Sequence, residues 1–210
     1  MIAKKKLHFN KGEAINFGFQ TAKSNIVFFI GVFVIITLIF AATSLLQNVP
    51  NFNQNATTFL IGNILVWVLN VIIDMGIIRI TLKFVDLEKP SFSNLFHGSF
   101  LINYVLTSII SGVIIIIGLV LFVIPGIIFA LRLHFAKYLV IDKEMGPVDA
   151  IQKSWNITKG ITWNLFLLTL LLILINILGF IALLVGLFIT IPLTMVTNAF
   201  VYRKLLSQVK

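Results

Sequence analysis

The chain has no cysteine. Disulfides, thiolate metal sites and cysteine nucleophiles are thereby excluded, while the redox character of the compartment stays open, because a chain without thiols suits either. Charge is scarce too: 11% of the 210 residues are Asp, Glu, Lys or Arg, and only seven of them are acids. Soluble domains carry about 25% charged residues. Sequence signatures of chemistry are missing as well. There is no HExxH, no Gly-x-Ser-x-Gly, no phosphate-cradling glycine loop and no dinucleotide fingerprint. His8, His97 and His134 stand in separate segments without ligand spacing. No metal, no cofactor and no catalytic residue is expected, and the chain is read as not an enzyme.

What is present is apolar. Hydrophobic residues make up 59% of the chain, and the mean hydropathy is +1.07. Runs of 18 or more apolar residues recur, which calls for a bilayer rather than a soluble core. The formal charge of +9 would fit a nucleic-acid binder until the positions are read. All sixteen Lys and Arg fall in four clusters separated by uncharged loops, the distribution of a multi-pass protein whose basic segments face the cytoplasm. The partners this implies are the lipid bilayer and anionic headgroups on the cytoplasmic face. No nucleic acid is implied, and oligomerisation is left open.

In chain order, residues 1–25 form a basic amphipathic segment in which Asn10 and Glu13 resemble a capping box. An apolar run follows at 26–46, long enough to span, and the charged region before it is too long for a cleaved signal. An uncharged Asn-rich loop leads to a second span at 58–80. Residues 100–141 would make a helix of about 63 Å, twice the hydrocarbon thickness. They must turn, and Pro125 and Gly126 lie in the breaker cluster that allows it. Pro147 opens a third lead-in helix, and a last hairpin turns between Gly179 and Gly186 and ends at Tyr202-Arg203-Lys204. Pro192 is read, with Pro125 and Gly126, as a hinge or turn residue.

The lead-ins are alike. Ala14, Ile15, Gly18, Phe19, Ala22 and Lys23 lie over Ala150, Ile151, Ser154, Trp155, Thr158 and Lys159, which implies a repeated unit. The expected fold is therefore all-α: a polytopic integral membrane helix bundle of six transmembrane helices arranged as three hairpin repeats, with short amphipathic interfacial lead-in helices. The whole of 1–210 is one membrane domain. It divides into a cytoplasmic segment at 1–25, hairpins at 26–80 and 91–141, and a lead-in with hairpin at 147–206. Both termini are placed on the cytoplasmic side of the plasma membrane. Phe19, Trp155, Trp163 and Tyr202 are the expected interfacial anchors.

One polar stripe crosses the oil. Asn63, Asn70 and Asp74 share a face of the second span with Trp67. A carboxylate there costs roughly 2.5–3.5 kcal/mol on insertion scales, so Asp74 should face protein or water. Arg132, at comparable depth in the fourth span, is the expected partner, with Arg79 as the other choice. The stripe is read either as a polar path for an ion, solute or headgroup, or as structural polar residues in which the asparagines bond neighbouring helices.

The run Ile124-Pro125-Gly126-Ile127, Ala150-Ile151, Ser154-Trp155, Thr158-Lys159-Gly160, Trp163-Asn164-Leu165-Phe166, Pro192 and Tyr202-Arg203 resembles a group of bacterial polytopic proteins. That group is similar to the membrane domain carried by some glycerophosphoryl diester phosphodiesterases. The resemblance implies a membrane domain without agreed activity. The catalytic barrel of those enzymes would need about 250 further residues, so no catalytic residue carries over. The function expected is a non-catalytic membrane component, a scaffold or a module that engages lipid or a partner. The alternative is a small transporter or channel using the Asn63–Asn70–Asp74 stripe.

Overall fold

The computed structural model describes residues 7–47, 56–96, 98–182 and 185–209; the expected outer loop at 48–55, His97 and the lysines at 4–6 and 210 lie outside them. Among the described residues there is no strand. The helices are α1 (Lys11–Ser24), α2 (Ile26–Gln47), α3 (Ala56–Val85), α4 (Leu101–Leu121), α5 (Val123–Leu133), α6 (Ala136–Lys143), α7 (Pro147–Ile157), α8 (Thr162–Ile181) and α9 (Leu187–Leu206). A 3₁₀ helix, Phe92–Phe96, lies between α3 and α4.

Local chemistry accounts for the ends. Asn10 caps α1 by accepting from the Gly12 and Glu13 amides at 2.8 and 3.2 Å. Glu13 pairs instead with Lys204 at 3.0 Å. Pro147 opens α7, and Gly160, at φ +84°, takes the left-handed conformation just beyond it. A single residue, Phe122, links α4 to α5. So short a link requires close helices, and a Cβ on Gly118 would fall 3.0 Å from the Gly126 Cα. Pro125 lies in the first turn of α5, where its missing N–H is no loss. Gly179 and Gly186 meet in the same way between α8 and α9.

Five segments are long and apolar enough to cross a membrane: Ile26–Leu45, Phe59–Val85, Leu101–Leu121, Val123–Lys143 and Thr162–Ile181. This is a multi-pass membrane protein. The sixth expected crossing, α9, has 20 residues and is less apolar, ending on Arg203 and Lys204. It packs against α1, α2, α3 and α8 and is buried along much of its length. There Thr197 donates to the Ala14 carbonyl at 3.3 Å, and Thr194 accepts from Asn176 at 2.7 Å.

Two expectations are corrected here. Pro192 lies inside the continuous helix α9 rather than at a turn, and its ring is buried; freed backbone groups are tolerated where neighbouring helices enclose them. The fourth span is not one helix, because it breaks at His134–Phe135 into α5 and α6.

The short helices pack along the longer ones. α1 runs along α9, the 3₁₀ helix along α3, and α7 against α4, α5 and α6. Each contact is close. A Cβ on Gly18 would fall 2.7 Å from the Leu193 carbonyl oxygen, and one on Gly76 would fall 2.7 Å from the Leu95 carbonyl carbon. Ser154 Oγ donates to the Arg132 carbonyl at 2.7 Å.

Candidate functional site

A helix that stops inside the bilayer leaves backbone carbonyls without partners. At the break between α5 and α6, the lead-in helix α7 takes up one of them. The Arg132 carbonyl accepts from Ser154 Oγ at 2.7 Å and Thr158 Oγ1 at 3.3 Å. Both hydroxyl side chains are fully buried. The Arg132 guanidinium turns to the same helix and stacks on Trp155, 3.6 Å from the ring centroid. Its Nη2 donates to the Trp155 carbonyl at 3.3 Å.

Beyond the break, α6 presents Lys137 to α3. Its ammonium lies 3.1 Å from Asp74 Oδ2, and the Tyr104 hydroxyl donates to the same oxygen. Lys137 also sits 5.2 Å from the Tyr104 ring centroid. The expected pairing of Asp74 with Arg132 is therefore corrected to Lys137. Depth along the span was matched, but Arg132 faces α7. Arg79 is elsewhere too, donating to Ser99 Oγ at 2.7 Å.

Asp74 and Lys137 line a cavity of about 550 Å³. Ile77 and Ile78 come from α3, Ser108, Ser111 and Ile115 from α4, His134 and Tyr138 from the broken span, and Met195 and Asn198 from α9. Ser111 Oγ is buried without a hydrogen-bond partner. One concavity thus offers an anion, a cation, an imidazole, hydroxyls and an amide against aliphatic walls. That arrangement suits binding of a polar group from an apolar surrounding. Among the described residues no three His, Asp or Glu side chains gather as a metal site would require.

The remaining expected residues divide. Asn63 and Asn70 each donate to their own helix, to the Phe59 carbonyl at 2.7 Å and the Val66 carbonyl at 2.9 Å. They do not line the cavity, so of the stripe only Asp74 reaches it. An amide four residues from a carbonyl on one helix is already in reach. Phe19 and Trp163 are exposed. Trp155 is half-buried beneath Arg132. Tyr202 is corrected: it is fully buried, and its hydroxyl donates to Asp142 at 2.8 Å. Beside it Arg203 bridges Asp86 on the segment after α3 and Asp142 on α6. Lys137, Tyr104, Ser111 and Asn198 were not anticipated. A signal existed for Lys137, five residues after Arg132 in one basic cluster, but none for the others.

Residues 103–209 match the family described as protein of unknown function (DUF975). The chain belongs to that family. The DUF975 match takes in nearly all of α4 and everything to α9, hence Ser108, Ser111, His134, Lys137 and Asn198 of the cavity, and leaves Asp74 outside. It carries no link to glycerophosphoryl diester phosphodiesterases. No curated protein and no solved structure matches the chain.

Proposed function

We propose that this DUF975 protein is a non-catalytic component of the cytoplasmic membrane that binds lipid, holding a small zwitterionic headgroup from the inner leaflet in the Asp74–Lys137 cavity. The observation that carries the reading is an opposite-charge pair at the wall of a 550 Å³ concavity inside the spans, with about half of each side chain left accessible. An accessible pair can exchange its partner for the ammonium and phosphate of a headgroup.

The architecture proposed with it is three hairpins around one axis, six crossings, and both termini cytoplasmic. Several observations support it. Counting back ten residues from Asp86, Asp142 and Arg203, which meet at the charged end, gives Gly76, Arg132 and Leu193. Each of these three touches a lead-in, and the lead-in belongs to the next hairpin in cyclic order. His8 and Gln208 exchange backbone–side chain hydrogen bonds at 3.0 and 2.9 Å, a proximity that supports two ends on one side and an even number of crossings. Kinship with the membrane domain of the phosphodiesterases belongs to this proposal too, on the Pro125–Gly126, Ser154–Trp155 and Tyr202–Arg203 motifs.

The test is reconstitution into liposomes with a lipid-binding and flux screen, run beside Asp74→Asn. Retention of a zwitterionic lipid that Asp74→Asn weakens about tenfold, with no flux above empty liposomes, is expected. Unchanged retention in a folded Asp74→Asn variant would sink the reading. Reporters fused to the two termini should both respond from the cytoplasm. Transport is the second reading, favoured by the helix break at His134–Phe135 beside the cavity. Solute flux abolished by Asp74→Asn would select it.

A further inference from the structure

Cations on α5, α6 and α9 have acidic partners with one exception. Lys137 pairs with Asp74, Lys143 with Asp142, Arg203 with Asp86 and Asp142, and Lys204 with Glu13. Arg132 meets no carboxylate among the described residues, and its Nε is buried without a hydrogen-bond partner. Guanidinium carries five donors in a planar fork suited to carboxylate or phosphate. Here the Trp155 ring fixes that plane and one carbonyl takes a single donor. Charge and geometry are both provided for an anion.

Beside Trp155 lies a groove of about 340 Å³ between α4, α5 and α7. Its floor is Ile114, Phe129, Leu133 and Ile151, and its rim carries the exposed amides of Gln152 and Asn156. This groove is separate from the Asp74–Lys137 cavity, sharing only Leu133 with it. We infer that it is a binding site for an anionic phospholipid, with the phosphate on the Arg132 fork, the glycerol region at Gln152 and Asn156, and one acyl chain along the aliphatic floor. Arg132 is not itself in the groove lining, but it stacks on Trp155, which is, so the occupant is lipid rather than soluble phosphate because the aliphatic floor lies beside the ring that carries the cation. A free phosphate would leave that floor empty.

The experiment measures lipid retained by the purified full chain, by mass spectrometry after exchange into mixed micelles of phosphatidylglycerol and phosphatidylcholine. Wild type should retain phosphatidylglycerol in preference. Arg132→Gln should lower that retention about tenfold, as loss of a charge-assisted contact does, and Arg132→Lys should recover only part of it. Because Arg132 also stacks on Trp155, Gln152→Glu provides a variant at an exposed position: a carboxylate at the rim should compete for the fork and lower retention while the unfolding midpoint holds. Phosphatidylglycerol retained at the wild-type level by either Gln152→Glu or Arg132→Gln would overturn the inference. So would its displacement from wild type by millimolar inorganic phosphate, which would make the site one for a soluble anion. The zwitterionic lipid of the other cavity should be untouched by Gln152→Glu, which separates failure here from failure there.

Discussion

Asp74 shows what one side chain in a span demands. Its two close partners come from helices far along the chain, Tyr104 and Lys137. Hydropathy gave its depth, and depth alone offered Arg132 and Arg79 as partners. Which side of a helix a residue faces depends on neighbours that the sequence does not list in space. The pair also sets a sign. Lys137→Met leaves a carboxylate without its ammonium at that depth, which should cost roughly 2 kcal/mol, below the 3–5 typical of a fully buried pair. The double variant Asp74→Asn with Lys137→Met should return most of that loss. Thermal unfolding in detergent of the two single variants and the double variant measures the coupling; additive losses would show the pair to be energetically idle.

Helices were the legible level. Ile26–Leu45 and Thr162–Ile181 could be drawn from apolar run length, and the turn at Phe122 from its flanking glycines. The break between α5 and α6 was not legible, because neither His134 nor Phe135 is a helix breaker by type. What accommodates it lies on another element: Ser154 and Thr158 of α7 donate to the Arg132 carbonyl. The stripe that does this was present in the alignment of lead-ins, where Gly18 and Ala22 correspond to Ser154 and Thr158. Small size was the shared property, and the hydroxyls were the addition. Ser154→Ala should therefore lower stability by about 1–2 kcal/mol by leaving that carbonyl underbonded. Gly18→Val should do more, since its branch meets Thr197 and the Leu193 carbonyl and would part α1 from α9. Protease protection of residues 7–24 reads the second effect: if α1 remained protected, the close contact would be incidental.

For the whole molecule, Arg203 is where α3, α6 and α9 meet through charge. It pairs with both Asp86 and Asp142, and Tyr202 holds the second of these acids. Arg203→Gln leaves Asp86 without its cation and Asp142 with only Lys143 and Tyr202, and should cost about 2 kcal/mol. Adding Asp142→Asn should relieve part of it. Unfolding midpoints of the single and double variants decide, with equal midpoints counting against the junction. The basic residues at the ends of spans were read as a topology signal, and Arg203 was legible only in that sense. That it joins three helices follows from their convergence, which no run of hydropathy encodes.

The mating of α1 with α9 has a consequence for biogenesis. α1 rests on α9, and the two are 183 residues apart where Thr197 meets Ala14. Until α9 has been made, the α1 face of Ala14, Gly18 and Ala22 has no seat. Docking the two closes a loop of that length, a step whose entropy is settled late. A nascent chain halted before residue 187 would leave α1 undocked however well the intervening helices had inserted.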